Sequence, residues 1–268
     1  GGELFLKTAT DALASPIPAL RAAAAKSLAA AQPAAVMAYL ISTGIPSKDA
    51  AEAQSAVALL ATLQHPDSTQ QITALLAAMI AGKAPKAIEL EILRAAESAK
   101  RDPAIARMLG GLTAAQQSRG PLGEFEPALF GGDATRGEAV FSTHPAAQCT
   151  LCHRIGENGS EVGPPLTQIG ASRDRASLLE SLLSPQAVVA PGYGFASLTL
   201  KDGSSVTGTL RSESPTELVI ATADGQLTRT KSTDIASRTA PVSTMPPMGS
   251  LLTKEELRDL LEFLATRK

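Results

Sequence analysis

Apolar residues recur every three to four positions through residues 1–118, a spacing that predicts one helix after another. Pro18-Ala-Leu-Arg-Ala-Ala-Ala-Ala-Lys-Ser-Leu28 and Ile88-Glu-Leu-Glu-Ile-Leu-Arg-Ala-Ala96 are the plainest cases. Pro16, Pro18, Pro33, Pro46, Pro66, Pro85 and Pro103 interrupt the pattern, each where a first helical turn can begin and a missing N–H costs nothing. Helices of about 10–18 residues joined by short loops, with small residues at the contacts, describe stacked helical hairpins. Residues 119–132 then bring four glycines and two prolines, and are expected to form a linker between domains.

Beyond the linker the chain restarts as helix, with Asp133 placed to cap a segment running to Phe141 and a further helix expected from Asp174 to Leu183. The period then shortens to two. Phe195-Ala-Ser-Leu-Thr-Leu200, Val206-Thr-Gly-Thr-Leu210, Glu217-Leu-Val-Ile-Ala221 and Leu227-Thr-Arg-Thr230 read as four antiparallel strands, with Asp202-Gly203 and Asp224-Gly225 as turns. This β insertion spans about residues 192–236. Helix returns at the end, where Thr253 and Glu256 have capping-box spacing and Leu257, Leu260, Leu261 and Leu264 share one face. The expected class is mainly α, a helical region at 1–118 followed by a domain at 133–268 that carries a small antiparallel β-sheet or barrel.

Composition narrows the possibilities. The chain has 268 residues, 44% of them hydrophobic, and a formal net charge of −2 with its lysines and arginines scattered. No basic stripe is present to neutralise phosphates, so nucleic acid is not an expected partner. No run approaches the ~18–20 apolar residues of a membrane-spanning helix. The start, Gly1-Gly2-Glu3, has neither a basic segment nor a cleavable apolar stretch, and any signal peptide is expected upstream of it.

Only two cysteines occur, and they stand three positions apart in Cys149-Thr150-Leu151-Cys152-His153. This is the c-type haem attachment pattern: two thiols on one helical turn can each add to a haem vinyl group, and the adjacent imidazole can then ligate the iron. A thioredoxin-like redox pair would require a βαβ unit around the motif, which the flanks do not offer. Structural zinc would require four ligands from two cysteines and three histidines, drawing on both His144 and His153 in one short loop. The expected cofactor is therefore haem c, one per chain. His144 is a competing sixth ligand, five residues before Cys149.

Gly163-Pro164-Pro165-Leu166 resembles the Gly-Pro-x-Leu segment of class I cytochromes c, and Ser243-Thr-Met245-Pro246-Pro247-Met248 resembles their distal methionine loop. The resemblance implies that the Pro164 carbonyl accepts the free ring N–H of His153, that Leu166 packs on the haem, and that Met245 is the sixth ligand, with Met248 as its competitor. Gly137, Phe141, Leu260 and Phe263 resemble the crossing of first and last helices in that class. Ile17 to Leu28 resembles the second helix of HEAT-type repeats.

The order of these parts is similar to the haem-binding domain family at the C-terminus of large planctomycete- and verrucomicrobia-type proteins. There, HEAT-like helices often precede a cytochrome domain, and a sugar-dehydrogenase-like propeller can lie further upstream. Leu182-Leu-Ser-Pro185, Lys201-Asp-Gly203 and Leu252-Thr-Lys-Glu-Glu-Leu257 carry the same likeness, while Pro247 departs from it. The resemblance implies an electron-transfer module with His153/Met245 ligation and no substrate chemistry at the iron. Its partner would be a redox protein or an upstream dehydrogenase domain, and its compartment periplasmic or otherwise extracytoplasmic. Two alternatives stay open: a haem sensor or haem enzyme with an open sixth position, and an interaction role for the helical half with the cytochrome as passenger.

Overall fold

The computed structural model describes residues 2–268, about half of them helical, in two compact units that meet at Gly132 and Asp133. The first unit holds α1 (Gly2–Ala12), α2 (Pro18–Leu28), α3 (Pro33–Tyr39), α4 (Ala50–Leu60), α5 (Ser68–Ile80), α6 (Glu89–Ser98) and α7 (Pro103–Ser118). Pro18, Pro33 and Pro103 are the first residues of their helices, whereas Pro46, Pro66 and Pro85 fall in the connections before the next one. Asp49 and Asp102 cap α4 and α7 by accepting backbone N–H groups that the first turn leaves unpaired. α1 packs on α2, α2 on α3, α5 on α6 and α6 on α7, and alternate helices pack as well: α2 on α4, α4 on α6, and α5 on α7. Leu28, Val36, Leu40, Val57, Leu60, Leu76, Ile92 and Ile105 are fully buried between them.

Residues 119–132 are not an open tether. Gly123–Ala128 forms a 3-10 helix with Ala128 fully buried, and the segment belongs to the first unit. Gln54 Nε2 donates to the carbonyls of Ala87 and Gly131, both at 2.7 Å. Gly131 has φ +84°, and a Cβ there would stand 2.5 Å from the Ala87 carbonyl oxygen. The glycines and prolines serve tight turns and a close approach, a use that composition does not distinguish from a flexible linker.

One buried polar knot holds α2, α3 and α4 together. Arg21 donates to both Glu52 carboxylate oxygens, Tyr39 Oη donates to Oε1 at 2.7 Å, and Ser47 Oγ donates to Oε2 at 2.6 Å. Burial alone would raise the Glu52 carboxyl, but the bonds from Arg21, Ser47 and Tyr39 outweigh it and hold the group below its ordinary value. Burial first, then the Glu52 carboxylate, pushes the Tyr39 phenol up. A carboxyl held low when folded contributes stability above its unfolded value, about pH 4.3 for Glu, and that contribution is lost as pH falls through the folded value. The first unit is therefore expected to lose thermal stability in acid, and Glu52→Gln to flatten that dependence while lowering the midpoint at neutral pH. Circular-dichroism melts at a series of pH values check this. An unchanged pH profile in the variant would remove Glu52 from the account.

The second unit begins with α8 (Ala134–Thr143), capped by Asp133, and ends with α11 (Lys254–Ala265), capped by the reciprocal Thr253–Glu256 box. The two helices cross where Gly137 lets the backbones meet, and the Phe141 and Phe263 rings lie 5.7 Å apart. Arg136 Nε and Nη2 grip the Asp259 carboxylate at 2.6 and 3.0 Å, and the Asp133 amide donates to the same group. Between these helices in sequence come the short hairpin β1 (Arg154–Ile155) and β2 (Asn158–Gly159), then α9 (Ile169–Ser172) and α10 (Arg175–Leu183). Leu178, Leu179 and Leu182 of α10 and Leu257, Leu260, Leu261 and Leu264 of α11 are buried.

The insertion is a five-stranded antiparallel sheet of β3 (Gly194–Leu200), β4 (Ser205–Glu213), β5 (Glu217–Ala221), β6 (Leu227–Lys231) and β7 (Ile235–Arg238), in the order β6-β5-β4-β3-β7. Four strands were expected. The fifth has one half-buried residue followed by three exposed ones, so no alternation marks it, and it pairs with the distant β3. Ala196, Leu198, Leu210, Leu218 and Ile220 form the insertion's own small core. No described helix is long and apolar enough to cross a membrane.

Candidate functional site

Cys149–Leu151 is a single 3-10 turn, closed by Cys152 N donating to Cys149 O at 3.1 Å and His153 N to the same oxygen at 2.8 Å. Cys149 thus opens the turn, Cys152 caps it, and His153 follows with its amide bonded back to the Cys149 carbonyl, so the three side chains of the motif are brought close together. The turn is entered through Gln148, whose φ of +43° places a non-glycine residue in the left-handed region. Such backbone is costly for an L-residue, and it persists where the surroundings demand it, often at functional sites. Both cysteines are free, with Cys149 half-buried and Cys152 exposed.

His153 is held by the chain that follows it. Its Nδ1 donates to the Pro164 carbonyl at 2.8 Å, which fixes the tautomer and leaves the lone pair on Nε2. Gly163 N donates to Cys152 O at 2.6 Å, and Leu166 N to Arg154 O at 2.8 Å, so residues 163–166 close against the motif. A Cβ on Gly163 would lie 2.8 Å from His153 Cε1, and one on Gly159, at φ +108°, would lie 2.1 Å from the His153 carbonyl oxygen. Glycine at both positions is a condition for the ring's seat. Burial lowers the His153 pKa and the bond to Pro164 only partly restores it, so the ring is neutral at neutral pH. A neutral, oriented imidazole with a free Nε2 is the form that ligates a metal.

Burial raises the Cys149 thiol, with the Cys152 charge adding to it and a backbone hydrogen bond working against it. That direction for Cys149 is opposite to the lowered value on which a thioredoxin-like nucleophile depends. Among the described residues, no group of three or more His, Cys, Asp or Glu could hold a metal ion, which leaves structural zinc without its donor set. The donors do suit a haem. Two free thiols and an oriented imidazole are brought close together at this turn, and Leu151 and Val162 beside it are 63% and 56% exposed, apolar surface that a flat apolar ring would cover.

His144 ends α8 with both ring nitrogens engaged. Nδ1 accepts from the amides of Ala146 and Ala147, and Nε2 faces Glu256 Oε1 at 3.4 Å. That leaves it no lone pair for iron. Of the remaining expected residues, Pro164 joins the motif directly and Leu166 does so through its amide. Met245 stands on the separate loop before α11, half-buried, with its amide donating to Ser243 Oγ at 3.2 Å. Met248, three residues on, is only 3% exposed in the core under α11. Sequence reasoning did not single out Gln148 or Gly159, and nothing in their residue types would have marked them. No protein-family model matches the chain, and neither does any curated protein sequence.

Proposed function

We propose that the second unit is a c-type cytochrome domain of class I type, holding one haem c through Cys149, Cys152 and His153, and that its role is one-electron transfer. The observation that carries this reading is the His153–Pro164 hydrogen bond on a single Cys-x-x-Cys-His turn, since a carbonyl partner on Nδ1 raises imidazole basicity toward a metal at Nε2. Bound in this way, the iron supplies Fe(III)/Fe(II) cycling. The chain's own residues do the rest. The two thiols anchor the ring, Pro164 orients the proximal imidazole, Leu166 lends apolar cover, and Met245 offers a soft neutral thioether that favours the ferrous state.

Met245 is preferred over Met248 as sixth ligand because a ligand must be free to leave the core, and Met248 is already spent as packing. Met245→Ala is expected to abolish the thioether-to-iron charge-transfer band of the oxidised protein and to lower its reduction potential. Met248→Ala should keep the band while costing about 2–5 kcal/mol of stability. Visible spectroscopy of both variants decides between them. A high-spin oxidised spectrum in the unmodified protein, with ready cyanide binding, would replace the electron-transfer reading with that of a haem sensor or enzyme.

Stacking of alternate helices in the first unit supports a HEAT-like repeat region, because each repeat in such arrays contacts its neighbours on both layers. The strand order, with a 3-10 turn (Ser232–Asp234) between β6 and β7, suits an SH3-like barrel for the insertion. With the order of motifs, these features support membership of the planctomycete/verrucomicrobia-type haem-binding domain family. On that reading the electron donor is a dehydrogenase domain or partner protein, and the compartment lies outside the cytoplasm, where covalent haem attachment takes place.

A further inference from the structure

The β insertion leaves the helical part of its unit after α10 and returns just ahead of Met245, and its two ends are tied together. Phe195 N donates to Val242 O at 2.8 Å and Val242 N to Phe195 O at 2.9 Å, an isolated antiparallel bridge at the foot of the sheet. One step further out, the Gln186 side chain imitates a second strand. Its Nε2 donates to Ser243 O at 2.7 Å and its Oε1 accepts from Ser243 N at 2.9 Å, so both backbone groups of Ser243 are satisfied by one amide. Ser243 Oγ then accepts from Met245 N. Gly194 completes the foot, since a Cβ there would stand 2.5 Å from Pro241 Cβ. Val242, Ser243 and Met245 are thus each held by a named hydrogen bond, and two of the contacting residues, Phe195 and Gln186, belong to the insertion or its approach.

We propose that Gln186, with the Phe195–Val242 bridge, is a brace that positions the Met245 loop, so that the insertion serves to hold the sixth ligand on the iron. The inference rests on Met245 being that ligand. A thioether is a weak, neutral ligand, and its hold on ferric iron depends on the loop being preset rather than on bond strength. Gln186 is a positioning residue. It touches the loop backbone, and it acts through Met245.

The test compares the full-length haem-loaded protein with Gln186→Ala, Gly194→Ala and, as a control, Arg229→Ala, which breaks only the exposed Arg229–Glu217 pair on the far strands. Imidazole binding to the ferric protein reports how readily Met245 yields its place. Gln186→Ala and Gly194→Ala should each tighten imidazole binding by about tenfold, or ~1.4 kcal/mol, and weaken the thioether band, while Arg229→Ala changes neither. Hydrogen exchange at the Ser243 amide, followed in the haem-free protein as well, should accelerate in Gln186→Ala by a similar factor. Gln186→Glu puts a carboxylate oxygen against the Ser243 carbonyl in place of the donor, so it should loosen the loop at least as much as Ala. Faster exchange with unchanged imidazole affinity would overturn the positioning role and leave the cytochrome reading intact. Equal effects from Arg229→Ala would overturn it too. A wild-type protein with no thioether band would overturn the Met245 assignment itself.

Discussion

Changing Cys149 and Cys152 together to serine is expected to abolish covalent haem, from about one per chain to none that survives denaturation, while either single change leaves attachment through one thioether. The measurement is the haem that remains with the chain after extraction with acidified solvent, read by its pyridine spectrum. The effect is all-or-none because the thiols are the only two in the protein, one opening the 3-10 turn and the other capping it. His153→Ala should differ in kind: both thioethers can form, but the product lacks its proximal imidazole and binds external imidazole in its place. The haem-free protein offers a second check. Burial keeps Cys149 a thiol at neutral pH, so it should react slowly with a disulfide reagent, and the exposed Cys152 should react first. A double-serine protein that still carries extraction-resistant haem, or a wild type whose cysteines react fast and close to a disulfide, would remove the basis for the cytochrome reading.

How far the sequence reached depended on the range of the interactions involved. The caps at Asp133 and Thr253 were legible because an N-cap is settled within four residues. So was the bond from His153 to Pro164, but only through likeness to a known segment, since an eleven-residue reach has no local signature. Residues 119–132 were read as a linker because glycine and proline punctuate linkers and packed turns alike; what decides is the bond from Gln54 to Gly131, 77 residues apart. The fifth strand was missed because Ile235–Arg238 is defined by its pairing with β3 and carries no period of its own. Gln186 was invisible for the same reason. A lone glutamine after Ser-Pro says nothing until Ser243 is beside it.

Gly137→Ala is expected to destabilise the second unit more than any other single methyl group added to the chain's helices. A Cβ at that position would stand 2.0 Å from the Asp259 carbonyl oxygen, 2.5 Å from its carbon and 2.8 Å from Phe263 Cβ. The obstacle is facing backbone, which cannot swing aside as a flexible side chain could, so α8 and α11 must separate. Overpacking of this kind costs about 3 kcal/mol, which for a domain of this size lowers the melting midpoint by about 10 °C. The separation also pulls apart the Arg136–Asp259 grip and the His144–Glu256 contact, and His144 is what steadies the Ala146 and Ala147 amides at the approach to Cys149. Haem attachment should therefore fall along with stability, although Gly137 is no part of the Cys-His turn. Gly110→Ala supplies the contrast. Its Cβ would meet nothing within 4 Å in the middle of α7, so the same substitution there should stabilise the first unit by about 0.5–1 kcal/mol through helix propensity alone. If thermal melts showed the two glycines responding alike, the backbone contact at Gly137 would not be what fixes the spacing of α8 and α11.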